Sequence, residues 1–160
     1  MGPVFFKETS AILGDDMRKI LLAALIFTAA QSAMAQCSIT SNRSDTVGKL
    51  LQSRGWNFRN FDVVCEKLKR ANAVINISGD ASVLAGMSYG WALLTVADRK
   101  TGLGINDYTA GHTIMNTYAS QDKAYDLLYE AINEAANNWD GLDNALATLN
   151  EKRKKFGASN

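Results

Sequence analysis

The chain of 160 residues is short of the residues that carry most enzyme chemistry: it has one histidine and two cysteines. Two cysteines 28 positions apart, with a single histidine, make neither a CxxC redox pair nor a zinc set. No GxSxG elbow, HExxH, phosphate-binding glycine loop or dinucleotide fingerprint is present. GLGIND (102–107) reads better as a hairpin connection than as a phosphate loop. Nothing here asks for a metal or a cofactor. An excess of one charge is also missing, with 17 Lys+Arg against 16 Asp+Glu, which removes the case for nucleic acid as a partner. Proline occurs once, at Pro3, so the domain proper has no prolyl bond to isomerise slowly. The rest is ordinary globular composition, 47% hydrophobic and 21% charged, which excludes a disordered chain, a collagen-like chain and a coiled-coil rod.

What is present starts at Met17. MRKILLAALIFTAAQSAMAQ has a short basic region (Arg18, Lys19), an apolar stretch over 20–30, and then small and polar residues, the layout of a secretory signal peptide. That stretch holds 11 residues, where a membrane-crossing helix needs about 20, so it is expected to be cleaved and to leave no membrane span. Ala33 and Ala35 supply the small-x-small pattern, placing the cut between Ala35 and Gln36. Cys37 follows Gln36 where a lipobox needs a small residue, which argues against lipidation. Residues 1–16 fit neither a signal nor a folded domain. Gly14-Asp15-Asp16-Met17 can be encoded by a purine-rich stretch just before an ATG, so a mis-assigned start, and hence a bacterial source, is the expectation. The organisation read is leader 1–16, signal peptide 17–35 and one mature domain 36–160, periplasmic or secreted.

Both cysteines stay in that domain and enter an oxidising compartment, which predicts a Cys37–Cys65 disulfide. Closing a loop over 37–65 stabilises by roughly 3.5 kcal/mol in the chain-entropy picture. Ser44 and Asp45 offer caps for a helix with Val47, Leu50 and Leu51 inward, and Gly55 stops it. Asn60 starts a second, in which Phe61, Val64, Cys65 and Leu68 share a face.

After Ala71 the pattern turns to strands. AVINIS (73–78) is β-branched, Gly79-Asp80 fits a two-residue hairpin turn, and 82–98 runs apolar. Read as a strand, that run puts Met87, Tyr89, Trp91 and Leu93 on one face and Ser88 and Gly90 on the other; a buried helix with a Gly86-xxx-Gly90 notch is the rival. INDYTAGHTIMNTY (105–118) favours a third strand. Ser120 caps a helix with Ala124, Leu127, Leu128, Ala131, Ile132 and Ala135 inward, ended by Asn137-Asn138, and Asp140 caps a last helix. The order α-α-β-β-β-α-α predicts an α+β domain, a small three-stranded antiparallel sheet flanked by about four helices, with a mostly α fold as alternative.

For function, Arg54, Trp56, Phe58 and Arg59 form the richest cluster, since Trp and Arg dominate interfaces and stack on sugars. The same residues also suit a loop that anchors itself by burial. His112 has Asp107 five positions before it, on the opposite face of a strand, with Ser88 a distant hydroxyl, so no local Asp-His pair exists. The basic run Lys152-Arg153-Lys154-Lys155 suits the carbonyl end of a helix or, less simply, anionic lipid or another envelope polyanion. The leading expectation is an exported protein without catalytic machinery that binds another envelope or periplasmic protein, as an inhibitor, immunity factor or accessory. A small-ligand or glycan binder at the Trp56 loop, and a hydrolase with a non-local site around His112, are the alternatives. The oligomeric state is not legible.

Overall fold

The computed structural model describes residues 37–157. The expected leader, signal peptide and Ala35/Gln36 junction lie outside them. The described elements are β1 (Ser41–Arg43), α1 (Asp45–Arg54), α2 (Phe61–Arg70), β2 (Ala73–Leu84), β3 (Met87–Asp98), β4 (Gly104–Asn116), α3 (Gln121–Asn137) and α4 (Leu142–Lys155). They form one four-stranded sheet in the order β1-β2-β3-β4, with β1 parallel to β2 and the other pairs antiparallel.

The α+β class holds, and three details of the sequence expectation are corrected. The sheet has a fourth strand, β1, so the order becomes β-α-α-β-β-β-α-α. Three residues are too few to show a periodicity; β1 is held in place by register, with Ser41 beside Ile75 and Ile75 N–H donating to the Thr40 carbonyl at 3.1 Å. The helical reading of 82–98, and with it the mostly α alternative, fails because Met87–Asp98 pairs on both sides, with β2 and β4. The hairpin turn is at Ala85-Gly86, not Gly79-Asp80. Both turn residues adopt positive φ, 51° and 77°, as a tight turn between twisted strands requires, and an alanine in that conformation leaves no signal in composition.

The helix limits follow the expected caps. Ser44 Oγ accepts from Val47 N–H, Gly55 N–H donates to the Leu51 carbonyl at 3.0 Å, and Ser120 Oγ accepts from Lys123 N–H at 3.1 Å. Asn60 occupies a cap position without a side-chain hydrogen bond, and Gly141 rather than Asp140 precedes α4, with Asp143 supplying the first-turn carboxylate.

The helices cover one face of the sheet. Ile75, Ile77, Leu94, Val96 and Ile105 point into a core shared with Val47 and Leu51 of α1, Cys65 and Leu68 of α2, Leu128 and Ile132 of α3, and Leu149 of α4. Burying each such aliphatic group contributes about 1.5–3 kcal/mol. Cys37 and Cys65 form the expected disulfide, with Cα atoms 6.0 Å apart, tying the start of the described chain to the buried face of α2.

Candidate functional site

The first part of β3, residues 87–93, sorts its side chains against the usual rule for a half-covered sheet, before Leu94 and Val96 return large groups to the core. Ser88, Gly90 and Ala92 face the helices and are buried, whereas Met87, Tyr89, Trp91 and Leu93 face away from them, with Trp91 36% and Leu93 37% exposed. The cause lies in α3. A Cβ on Gly90 would run into the backbone of Leu127 and Leu128, so the helix rests directly on the strand there. Gly79 of β2, beside Ala92, carries the Leu128 side chain in the same way. Ser88 adds a polar clamp: its Oγ lies 2.7 Å and 2.8 Å from the carbonyls of Tyr118 and Ser120 and accepts from Ser120 N–H at 2.9 Å. Small groups on the covered face bring the helix close, and the bulky groups are left on the open one.

Pairing register builds that open face into rows. Trp91 lies between Asp80 and Thr113, Tyr89 between Ser82 and Met115, and Leu93 between Ser78 and Gly111, while Leu84 sits opposite Met87 near the turn. Met115 is 68% exposed and Leu84 66%. Toward β1 the face becomes polar, with Asn42 Nδ2 donating to Asn76 Oδ1 at 2.8 Å, and Ser82 Oγ lies 3.0 Å from Asp80 Oδ2. The open face therefore has an aromatic and aliphatic centre with a polar margin.

The 54–59 loop is organised differently. Arg54 pairs with Asp126 at 2.7 Å and lies 5.3 Å from the Tyr129 ring centroid, both on α3. Phe58 is buried, Trp56 is half-buried against the core, and Phe58 stacks edge-on with Trp56 and Phe61 at 5.7 and 5.6 Å. The amides of Asn57 and Arg59 donate to the side chains of Asn133 and Asn137 on α3 at 2.7 and 2.8 Å. This loop turns its aromatic groups inward, while Arg59 is exposed.

His112 is half-buried on the helix side of β4 opposite Ala92, while Ser88 is opposite Asn116, four residues along, roughly 13 Å away. Asp107 sits in a bulge of β4, its carboxylate 3.8 Å from Lys152 Nζ. Ser88, Asp107 and His112 are therefore not brought together. Among the described residues no group of three His, Cys, Asp or Glu is placed to hold a metal, and no helix is long and apolar enough to cross a membrane.

The basic run at the end of α4 splits. Arg153 is buried, and its Nε and guanidinium NH2 each meet Asp98 Oδ2 at 2.6 Å. It also donates to the carbonyls of Ala71 and Asn72 at 2.7 and 2.9 Å and to Asn150 Oδ1 at 2.8 Å. Burial pushes the Asp98 carboxyl up, but the Thr101 amide and hydroxyl, with Arg153 behind them, outweigh it and hold it at about 2. Stepping four residues on from Leu149 places position 153 on the inward stripe, a signal hidden by its three lysine neighbours.

Compared with known proteins, the chain matches no family and no curated protein. Among solved structures it is similar to a crystal structure described as a "putative lipoprotein" from Caulobacter crescentus CB15, at 15% identity, covering 71% of this chain and 91% of that one, with a TM-score of 0.32.

Proposed function

We propose that this is an exported protein, periplasmic or secreted, that acts by binding another envelope protein through the open face of β3 and β4, as an inhibitor, immunity factor or accessory and without chemistry of its own. One observation carries the reading: over 87–93, β3 turns Met87, Tyr89, Trp91 and Leu93 away from the core while giving it only serine, glycine and alanine. A fold gains stability from burying such residues, so leaving them in water is accounted for by a partner that covers them. Export is supported by the signal-like segment at 17–35 and by the Cys37–Cys65 disulfide, which belongs to oxidising compartments. The face takes precedence over the Arg54, Trp56, Phe58, Arg59 loop because Trp91 and Leu93 are available to a partner and Phe58 is not.

A photo-crosslinking amino acid at position 91, in cells producing the protein with its own signal peptide, tests this. The expected result is a discrete adduct with one other protein in the periplasmic or secreted fraction, absent when the crosslinker sits at position 154 on α4. Protein retained in the cytoplasm, or adducts no different between the two positions, would refute it.

A further inference from the structure

The sheet has two edges, and they are guarded unequally. The β1 edge is three residues long, ends in Arg43, which donates to Ser41 Oγ, and runs straight into α1. β4 is 13 residues long and, among the described residues, pairs only with β3. Its first half is broken: Leu94 pairs with Ala110 but Val96 with Ile105, so residues 106–109 bulge opposite Thr95. Tyr108 there has a φ of 59° and its carbonyl accepts from Trp139 Nε1 at 2.8 Å, while Asp107 adds a charge. A bulge and an inserted charge are the devices that stop an edge from pairing. The second half, AGHTIMN (110–116), has neither. It holds no Lys, Arg, Asp, Glu or Pro, its register with β3 is unbroken, and Gly111, Thr113 and Met115 are exposed.

We infer that two copies of this chain pair edge to edge, antiparallel, through residues 110–116 of β4 about an axis at Thr113. The occupant is a second copy because the segment complements itself. About Thr113, Met115 of each copy falls beside Gly111 of the other, large on small, and Ile114 beside His112, so no like charges oppose one another. The axis itself carries a Thr–Thr pair, a favourable cross-strand match. Tyr108 and Tyr118, 51% and 70% exposed, lie five positions either side of Thr113, so each Tyr108 approaches the Tyr118 of the other copy. A two-fold interface that uses one surface twice is the commonest form of association. The pairing extends the row Asp80–Trp91–Thr113 into the second copy, giving one eight-stranded sheet whose open face holds two Trp91 side chains about 14 Å apart, three strand spacings.

The mature protein is expected to sediment as a dimer at about 100 µM. Across an antiparallel pair the opposed Cα atoms lie about 4.5–5.5 Å apart, within disulfide reach, so Thr113→Cys links two copies under mild oxidation. Ser78→Cys, exposed on the same face but away from β4, does not. Thr113→Lys opposes two ammonium groups at the axis and weakens association at least about tenfold, while the melting point measured at dilutions where both proteins are monomeric stays unchanged. A monomer at that concentration, or Thr113→Cys linking no faster than Ser78→Cys, would overturn the inference; so would a strand of another protein occupying the edge while this chain alone stays monomeric. Neither result bears on binding by the open face, which a monomer presents equally.

Discussion

Adjacent residues of β3 answer to different demands. Gly90 touches the backbone of α3 and has no room for a methyl group, while Trp91, next in the chain, reaches into water between Asp80 and Thr113. On the covered face the requirement is closeness, met by Ser88, Gly90 and Ala92 against a helix whose own inward residues include Ala124, Ala131 and Ala135. On the open face nothing in the fold asks for Met87, Tyr89, Trp91 or Leu93. Size alone does not identify a core side: a sheet that carries a helix at short range buries its small residues, and the large ones remain for other use.

Substitutions should separate the faces. Gly90→Leu drives a side chain into helix backbone and is expected to cost at least about 4 kcal/mol, the upper range for a single change, so the protein should be largely unfolded by circular dichroism at 37 °C. Cys65→Ser frees the N-terminal tie on the covered side and should cost up to roughly 3.5 kcal/mol in urea titration, with no thiol titratable in the unreduced wild type. Acid probes the same layer through Asp98. Its folded pKa, about 2, lies below the ordinary 3.8, so this contribution is fully present above pH 3.8 and is lost as pH falls toward 2. The loss should reach about 2 kcal/mol, and Asp98→Asn should flatten the pH dependence in that window. Trp91→Ala, on the open side, should move stability by less than about 1 kcal/mol while weakening partner binding about 30-fold.

Much of the fold was legible because caps and periodicities are local. Ser44, Gly55, Ser120 and Asn138 bound the helices as their chemistry requires, and within the 82–98 run the period-2 split into a large and a small face holds over 87–93, whereas the Ala85-Gly86 turn puts Val83 on the face of Ser88 and Leu94 and Val96 enlarge the covered side. What stayed hidden depends on long-range geometry. β1 exists only because β2 offers it a register, Ala85 takes positive φ because the hairpin twist demands it, and Arg153 turns inward because Asp98 waits at the end of β3. The site was hidden for a related reason. Alternation showed two faces of β3 but not which one α3 would cover, and the aromatic cluster at 54–61, prominent in the sequence, is drawn in by Asn133 and Asn137, polar residues of α3 that signal nothing by themselves.

The most direct test is hydroxyl-radical footprinting of Trp91 and Met87, compared between the purified protein and the protein in its native compartment in intact cells. Both side chains should be oxidised readily when purified and be protected several-fold in cells, with Phe156, exposed at the end of α4 and away from the face, reacting alike in the two samples. Equal oxidation of Trp91 and Met87 in both would mean that nothing covers the open face, and the binding role assigned to it would be wrong.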